Sequence, residues 1–197
     1  LREEFEAMGA AGFDDRGRVS DEYLRIFREL WTQDPASFVG DFYRFDALHC
    51  LPQPLQKPHP PIWVGGHSRP ALRRVARYGD GWHPVGANPA ALSQPESLHG
   101  PLDDLRRFCS EAGRSFDELT ISLKAPLYDR SLSAVDVAAG GRRRPFTGTT
   151  DELLADIATY ERIGVGELIF DFRADSVAEC LERMEQFAAG VGLPQRH

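Results

Sequence analysis

Pro60-Pro61-Ile62-Trp63-Val64-Gly65-Gly66-His67-Ser68-Arg69-Pro70-Ala71-Leu72-Arg73-Arg74-Val75-Ala76-Arg77-Tyr78-Gly79-Asp80-Gly81-Trp82-His83-Pro84 decides the fold. In one run it holds a short apolar strand, a glycine turn, a helix and the start of a second strand. Ser68 is placed to cap the helix that Pro70 helps to start, because proline is tolerated in the first turn and serine oxygen accepts from the orphan amides there. Gly65 and Gly66 let the backbone pass close to a ligand, and the helix N-terminus carries partial positive charge. Gly65, Gly66, His67 and Ser68 together form a candidate anion site. A plain strand-to-helix turn with a serine cap is the competing reading.

From Ile62 onward short apolar runs alternate with amphipathic helices, the pattern of parallel β/α units. Four units are expected over residues 62–189. Their strands fall near 62–64, 81–85, 119–127 and 167–172, and their helices near 69–78, 102–112, 150–163 and 176–189. Thr149 followed by Glu152, and Ser176 followed by Glu179, are capping-box patterns. Gly79, Gly113, Gly164 and Gly190 stand at the expected helix stops.

Upstream, residues 1–8 read as the tail of a helix ended by Gly9, and 12–17 as a polar loop. A helix is expected from Ser20, with Tyr23, Leu24, Phe27, Leu30 and Trp31 on one face and Pro35 beyond its end. Residues 37–45 read as a hairpin around Gly40-Asp41. The proline-rich stretch 51–61 must be extended. The long loop 128–148, carrying Gly140-Gly141-Arg142-Arg143-Arg144, has no regular pattern, and such a stretch in a compact domain is usually functional or disordered.

Composition narrows the class. With 197 residues and 42% hydrophobic content the chain can build a real core, and its net charge of −7 argues against general affinity for nucleic acid or anionic membrane. Small molecules are the expected partners. No run approaches the roughly 20 apolar residues of a membrane span, and the start Leu1-Arg2-Glu3-Glu4 does not resemble a signal peptide, so a cytoplasmic location is expected. Cys50, Cys109 and Cys180 are too few and too scattered for a disulfide framework or metal cluster. His49, His59 and His99 lack ligand spacing, so no metal is expected. Adjacent carboxylates at Glu3-Glu4 and Asp103-Asp104 diverge on a helix and read as solvent-facing.

Pro-Pro-Ile-Trp-Val-Gly-Gly-x-Ser, Arg-Tyr-Gly-Asp-Gly-Trp and the earlier Glu22-Tyr23-Leu24, Leu30-Trp31-Thr32, Phe38, Gly40 and Phe42 resemble the bacterial luciferase-like monooxygenase superfamily. Within it the resemblance is nearest to oxidoreductases that use the deazaflavin coenzyme F420. It implies a TIM (β/α)8 barrel, of which the four units here would be about the C-terminal half, since eight units usually need about 250 residues. A start at Leu1 fits a fragment, a trimmed chain or a natural half-length product. The superfamily's usual acid/base residues lie on the early strands, so none is named here. Open sheet edges would call for the missing N-terminal half or for self-association, such as a homodimer.

The resemblance places a cofactor phosphate on Gly65, Gly66, His67 and Ser68. His83, at the end of the second strand, is a candidate proton donor or acceptor, while Trp82 reads as core and Asp80 as a turn residue. Loop 128–148 would be a mobile lid whose Arg142, Arg143 and Arg144 meet an anion, or else a solvated surface loop. The expected activity is hydride transfer between F420 and an unknown organic substrate. The alternatives are an FMN-dependent monooxygenase and a catalytically silent phosphate-binding or scaffold half-barrel.

Overall fold

The computed structural model describes residues 1–10, 12–84, 94–128, 135–136 and 142–192. A short helix α1 (Arg2–Ala7) and a 3-10 turn (Phe13–Asp15) lead into α2 (Arg16–Thr32), which is followed by an antiparallel hairpin of β1 (Ala36–Val39) and β2 (Arg44–Leu48). The β/α region then runs β3 (Trp63–Gly65), α3 (Arg69–Tyr78), β4 (Gly81–His83), α4 (Pro95–Glu111), β5 (Thr120–Leu127), the small pair β6 (Val135–Asp136) and β7 (Arg142–Arg143), α5 (Thr150–Arg162), β8 (Glu167–Asp171) and α6 (Val177–Val191). Strands β3, β4, β5 and β8 form one sheet in that order, all parallel.

Register divides the sheet into two faces. Val64 lies beside Trp82 and Trp82 beside Ile121, and these join Leu123 in a core closed by Leu72, Val75 and Ala76 of α3 and Leu98, Leu102, Leu105 and Phe108 of α4. The alternate residues Trp63, Gly81, His83, Ser122, Lys124 and Ile169 fall on the opposite face, because side chains alternate along a strand. A second aromatic cluster joins Tyr128, Phe170, Phe172 and Phe187, with ring centroids 4.4 Å apart for Phe170 and Phe187.

Before the sheet, Glu22 of α2 is buried at 1% exposure and its carboxylate accepts from the amides of Asp41 (2.8 Å), Phe42 (3.1 Å) and Tyr43 (2.6 Å). It thereby ties the hairpin turn to the helix. Arg74 of α3 reaches back to Asp21 (2.5 Å) and to the Gly17 carbonyl (2.9 Å), joining α3 to α2.

Several boundaries differ from the sequence reading. Helix α2 starts at Arg16 rather than Ser20, because the preceding 3-10 turn feeds directly into it; the Ser20 hydroxyl donates to the Arg16 carbonyl from inside the helix. Its buried side is Val19, Glu22 and Ile26, whereas Tyr23 and Phe27 are half-exposed and stack with Trp31 in a row. Helix α4 begins at Pro95, seven residues before the expected start at 102, and runs through Pro101. Helix α6 passes Gly190, which packs near Thr150, and stops at Gly192, where φ is +70°. Val85, expected to extend the second strand, lies outside the described residues, as do residues 129–134 and 137–141 of the expected lid.

Candidate functional site

Beyond β3 the chain turns through Gly65-Gly66-His67-Ser68 into α3. Ser68 is the N-cap: its hydroxyl accepts from the Ala71 amide (3.4 Å) and its carbonyl accepts from the Leu72 amide (3.0 Å). Pro70 has no N–H, so the orphan donors of the first turn are nearly all accounted for. Among the described residues no acceptor meets the amides of His67 or Ser68. The Ser68 hydroxyl still has its own proton to donate. Gly66 has φ +87°, which favours glycine, and a Cβ there would sit tightly against Ala71 Cβ at 3.3 Å. These free donors at a helix N-terminus, beside backbone without side chains, fit a phosphate.

The turn is held from beneath. Trp82 is fully buried and its indole Nε1 donates to the Gly66 carbonyl at 2.7 Å. Asp80 accepts from the Ile62 amide at 2.8 Å, closing the start of β3 onto the loop before β4. The sequence reading put Trp82 in the core and Asp80 in the turn; what it missed is that the indole anchors the glycine carbonyl.

His83 lies opposite Gly65 in the β3–β4 register. Its half-buried ring sits beside Trp63, with centroids 6.2 Å apart and planes at 23°, and its Nδ1 is 3.1 Å from the Ser122 hydroxyl of β5. Gly81 makes this arrangement possible, since a Cβ there would meet Trp63 Cδ1 at 2.6 Å. The structure thus brings His83 and the glycine turn to one end of the sheet. Ser122 was not singled out from the sequence, and only the parity of a strand whose register was unknown could have found it.

The arginine triplet falls elsewhere. Arg143 donates to the Thr147 carbonyl (2.8 Å) and pairs with Asp156 of α5, whose other oxygen accepts from the Phe146 amide (2.6 Å). Arg144 is half-buried, with its carbonyl accepting from the Thr147 hydroxyl (2.6 Å). Arg142 supplies its backbone to β7. Arg143 therefore serves the packing of the loop's end onto α5. A small cleft lined by Tyr128, Phe146, Thr147, Gly148, Thr149, Thr150 and Leu153 lies at the α5 N-terminus. There the Thr149 amide hydrogen-bonds Glu152 and holds its carboxyl below the usual glutamate range, so the helix end carries its own anion.

Among the described residues no group of three or more His, Cys, Asp or Glu side chains could hold a metal, and no helix is long and apolar enough to cross a membrane.

Residues 2–135 match the family model described as luciferase-like monooxygenase. An FMNH2-dependent dimethylsulfone monooxygenase of Pseudomonas putida is 39% identical over 114 residues, covering 57% of this chain and 30% of that protein. An uncharacterized protein of Mycobacterium tuberculosis is 35% identical over 154 residues, covering 74% of this chain and 49% of that protein. The chain therefore spans half or less of the length of these relatives. Among solved structures, monooxygenase RslO1 from Streptomyces bottropensis superposes with a TM-score of 0.75 at 24% identity, covering 97% of this chain and 65% of that one. An F420-dependent secondary alcohol dehydrogenase in complex with an F420-acetone adduct gives 0.68 at 15%, covering 95% and 66%. At such identities the likeness speaks for the fold alone, while the family match extends over the hairpin, the glycine turn and the first two β/α units. On that match the chain belongs to the luciferase-like monooxygenase family.

Proposed function

We propose that this chain is the cofactor-phosphate-binding part of an oxidoreductase that acts on a small organic substrate with a flavin-type ring. The observation that carries the reading is the turn Gly65-Gly66-His67-Ser68, where the amides of His67 and Ser68 meet no acceptor among the described residues and Ser68 caps the N-terminus of α3. When bound, the cofactor supplies the redox chemistry, and the protein supplies binding and orientation. Reduced FMN is favoured by the 39% identical relative, an FMNH2-dependent enzyme. Coenzyme F420 is the second reading, favoured by the F420-dependent dehydrogenase among the fold neighbours.

We also infer that the four-stranded parallel sheet is part of a (β/α)8 barrel, residues 1–197 forming one partial domain. Parallel sheets are normally covered on both faces. Here α3 and α4 cover one face, while Trp63 and Ile169 on the other keep 39% and 37% of their surface exposed. β3 and β8 are the outer strands of the sheet, and each leaves an edge for pairing with further strands of the same protein or with a second copy.

The deciding experiment titrates the full-length protein with FMN and with F420 and repeats both with variants of the turn. Ser68→Ala should weaken the preferred cofactor by roughly ten- to a hundredfold, as loss of one hydrogen bond to a charged group implies. Gly66→Val should weaken it further, because a β-branched residue is strained at positive φ. If protein carrying both changes keeps its circular dichroism spectrum and binds either cofactor as tightly as the parent, the turn is not the phosphate site.

A further inference from the structure

His83 and Ser122 form a pair whose hydrogen-bonding options are limited enough to assign a proton. Ser122 is wholly buried on β5, and among the described residues the only partner of its hydroxyl is His83 Nδ1 at 3.1 Å. A hydroxyl has one hydrogen to donate and lone pairs to accept with. If the imidazole kept its proton on Nδ1 and donated it to Ser122, the serine hydrogen would be buried with no acceptor, costing about 1–3 kcal/mol. If Ser122 donates to a bare Nδ1, both groups are satisfied and the ring proton resides on Nε2. The second arrangement is the stable one.

The other nitrogen faces a different situation. His83 Nε2 has no hydrogen-bond partner among the described residues and is not sealed from solvent. The ring is steadied on one side by Trp63 and at Nδ1 by Ser122. It also stands one strand away, roughly 4.8 Å, from Gly65, where the phosphate turn begins. A donor of fixed direction is thus set next to the anion site, on the sheet face that α3 and α4 leave free.

We propose that Ser122 is a positioning residue that fixes His83 as the Nε2–H tautomer, and that His83 donates this hydrogen to an oxygen atom of the cofactor bound at the glycine turn. The proposal rests on the reading of residues 65–68 as the phosphate turn. Its first half, the tautomer, is a property of the protein without ligand.

The test uses full-length protein labelled with 15N-histidine, with FMN as the probe. Long-range 1H–15N spectra of the ligand-free protein, with His83 assigned by the signal lost in His83→Phe, should show Nδ1 bare and Nε2 protonated. Ser122→Ala should remove that bias, and Ser122→Thr, which keeps the hydroxyl, should restore it. A protonated Nδ1 in the parent, or an unchanged spectrum in Ser122→Ala, overturns the positioning role. In titrations, His83→Phe should weaken FMN roughly three- to tenfold, the worth of one hydrogen bond. Unchanged FMN affinity overturns the contact with the cofactor. Gly66→Val keeps the two readings apart: FMN affinity insensitive to that change sinks the phosphate turn, while the tautomer spectra still judge Ser122.

Discussion

Replacing Glu22 with Ala tests whether a single buried carboxylate holds the hairpin onto the helix that precedes the sheet. Three consecutive turn amides, from Asp41, Phe42 and Tyr43, donate to that carboxylate. Each amide left without a partner costs about 1–3 kcal/mol when buried, and the turn is only partly buried, so water can recover some of that. A net loss of about 3 kcal/mol follows, which should move the urea midpoint of unfolding down by roughly 1–2 M. The neighbouring Gly40 offers an internal check, because a Cβ at that position would run into the Glu22 carboxylate. Gly40→Ala should therefore be destabilising in the parent and close to neutral in the Glu22→Ala background. That non-additivity is what a double-mutant cycle reads for groups in contact. A loss below about 0.5 kcal/mol for Glu22→Ala, the level of ordinary surface changes, would refute the reasoning, as would additive effects of the two substitutions.

Trp82→Phe removes the indole donor to the Gly66 carbonyl and should destabilise the protein by about 2 kcal/mol in urea unfolding. It should also raise the dissociation constant for FMN, whereas unchanged FMN binding would mean that the turn keeps its shape without the indole. Asp156→Ala strips Arg143 of the closer of its two ion pairs and the Phe146 amide of its acceptor, so limited proteolysis should cut residues 142–148 faster than in the parent. The Glu152 carboxyl is held below its ordinary range foremost by the Thr149 amide. A depressed folded-state pKa contributes stability above the unfolded value and loses it as pH falls through the folded one. Glu152→Gln should accordingly lower the melting temperature at neutral pH and leave it nearly unchanged in acid; an equal loss at both would remove the charge from the explanation.

The features legible in the sequence are those that local chemistry dictates. Ser68 with Pro70, and Thr149 with Glu152, mark helix starts because orphan amides need an oxygen within three residues. Alternating apolar strands and amphipathic helices likewise pointed to the parallel order of β3, β4, β5 and β8. What stayed hidden depends on partners far along the chain. Glu22 falls early in the helix expected from Ser20, and nothing local says that its carboxylate meets amides some twenty residues later. Arg114 reaches the carbonyls of Ala76 and Gly79, closing the end of α3, for reasons only the packed helices supply. Gly190 carried the usual stop signal, yet α6 runs through it to end at Gly192, where the backbone turns left-handed.

The glycine turn and the His83 pair are joined by strand parity. Along Gly81-Trp82-His83 the middle side chain enters the helix-covered core and reaches the Gly66 carbonyl, while the third emerges on the other face beside Ser122. One strand therefore fixes the turn from below and supplies the polar group beside it. A slip of one residue in β4 would exchange these roles, placing a histidine in the apolar core and an indole at the mouth of the site, because each residue in a strand changes face. Gly81 guards against the slip, since Trp63 lies across it and any side chain there would have to displace the indole. The run Gly81-Trp82-His83 is thus a constraint of packing and of the site at once, and changing any of its members should disturb both.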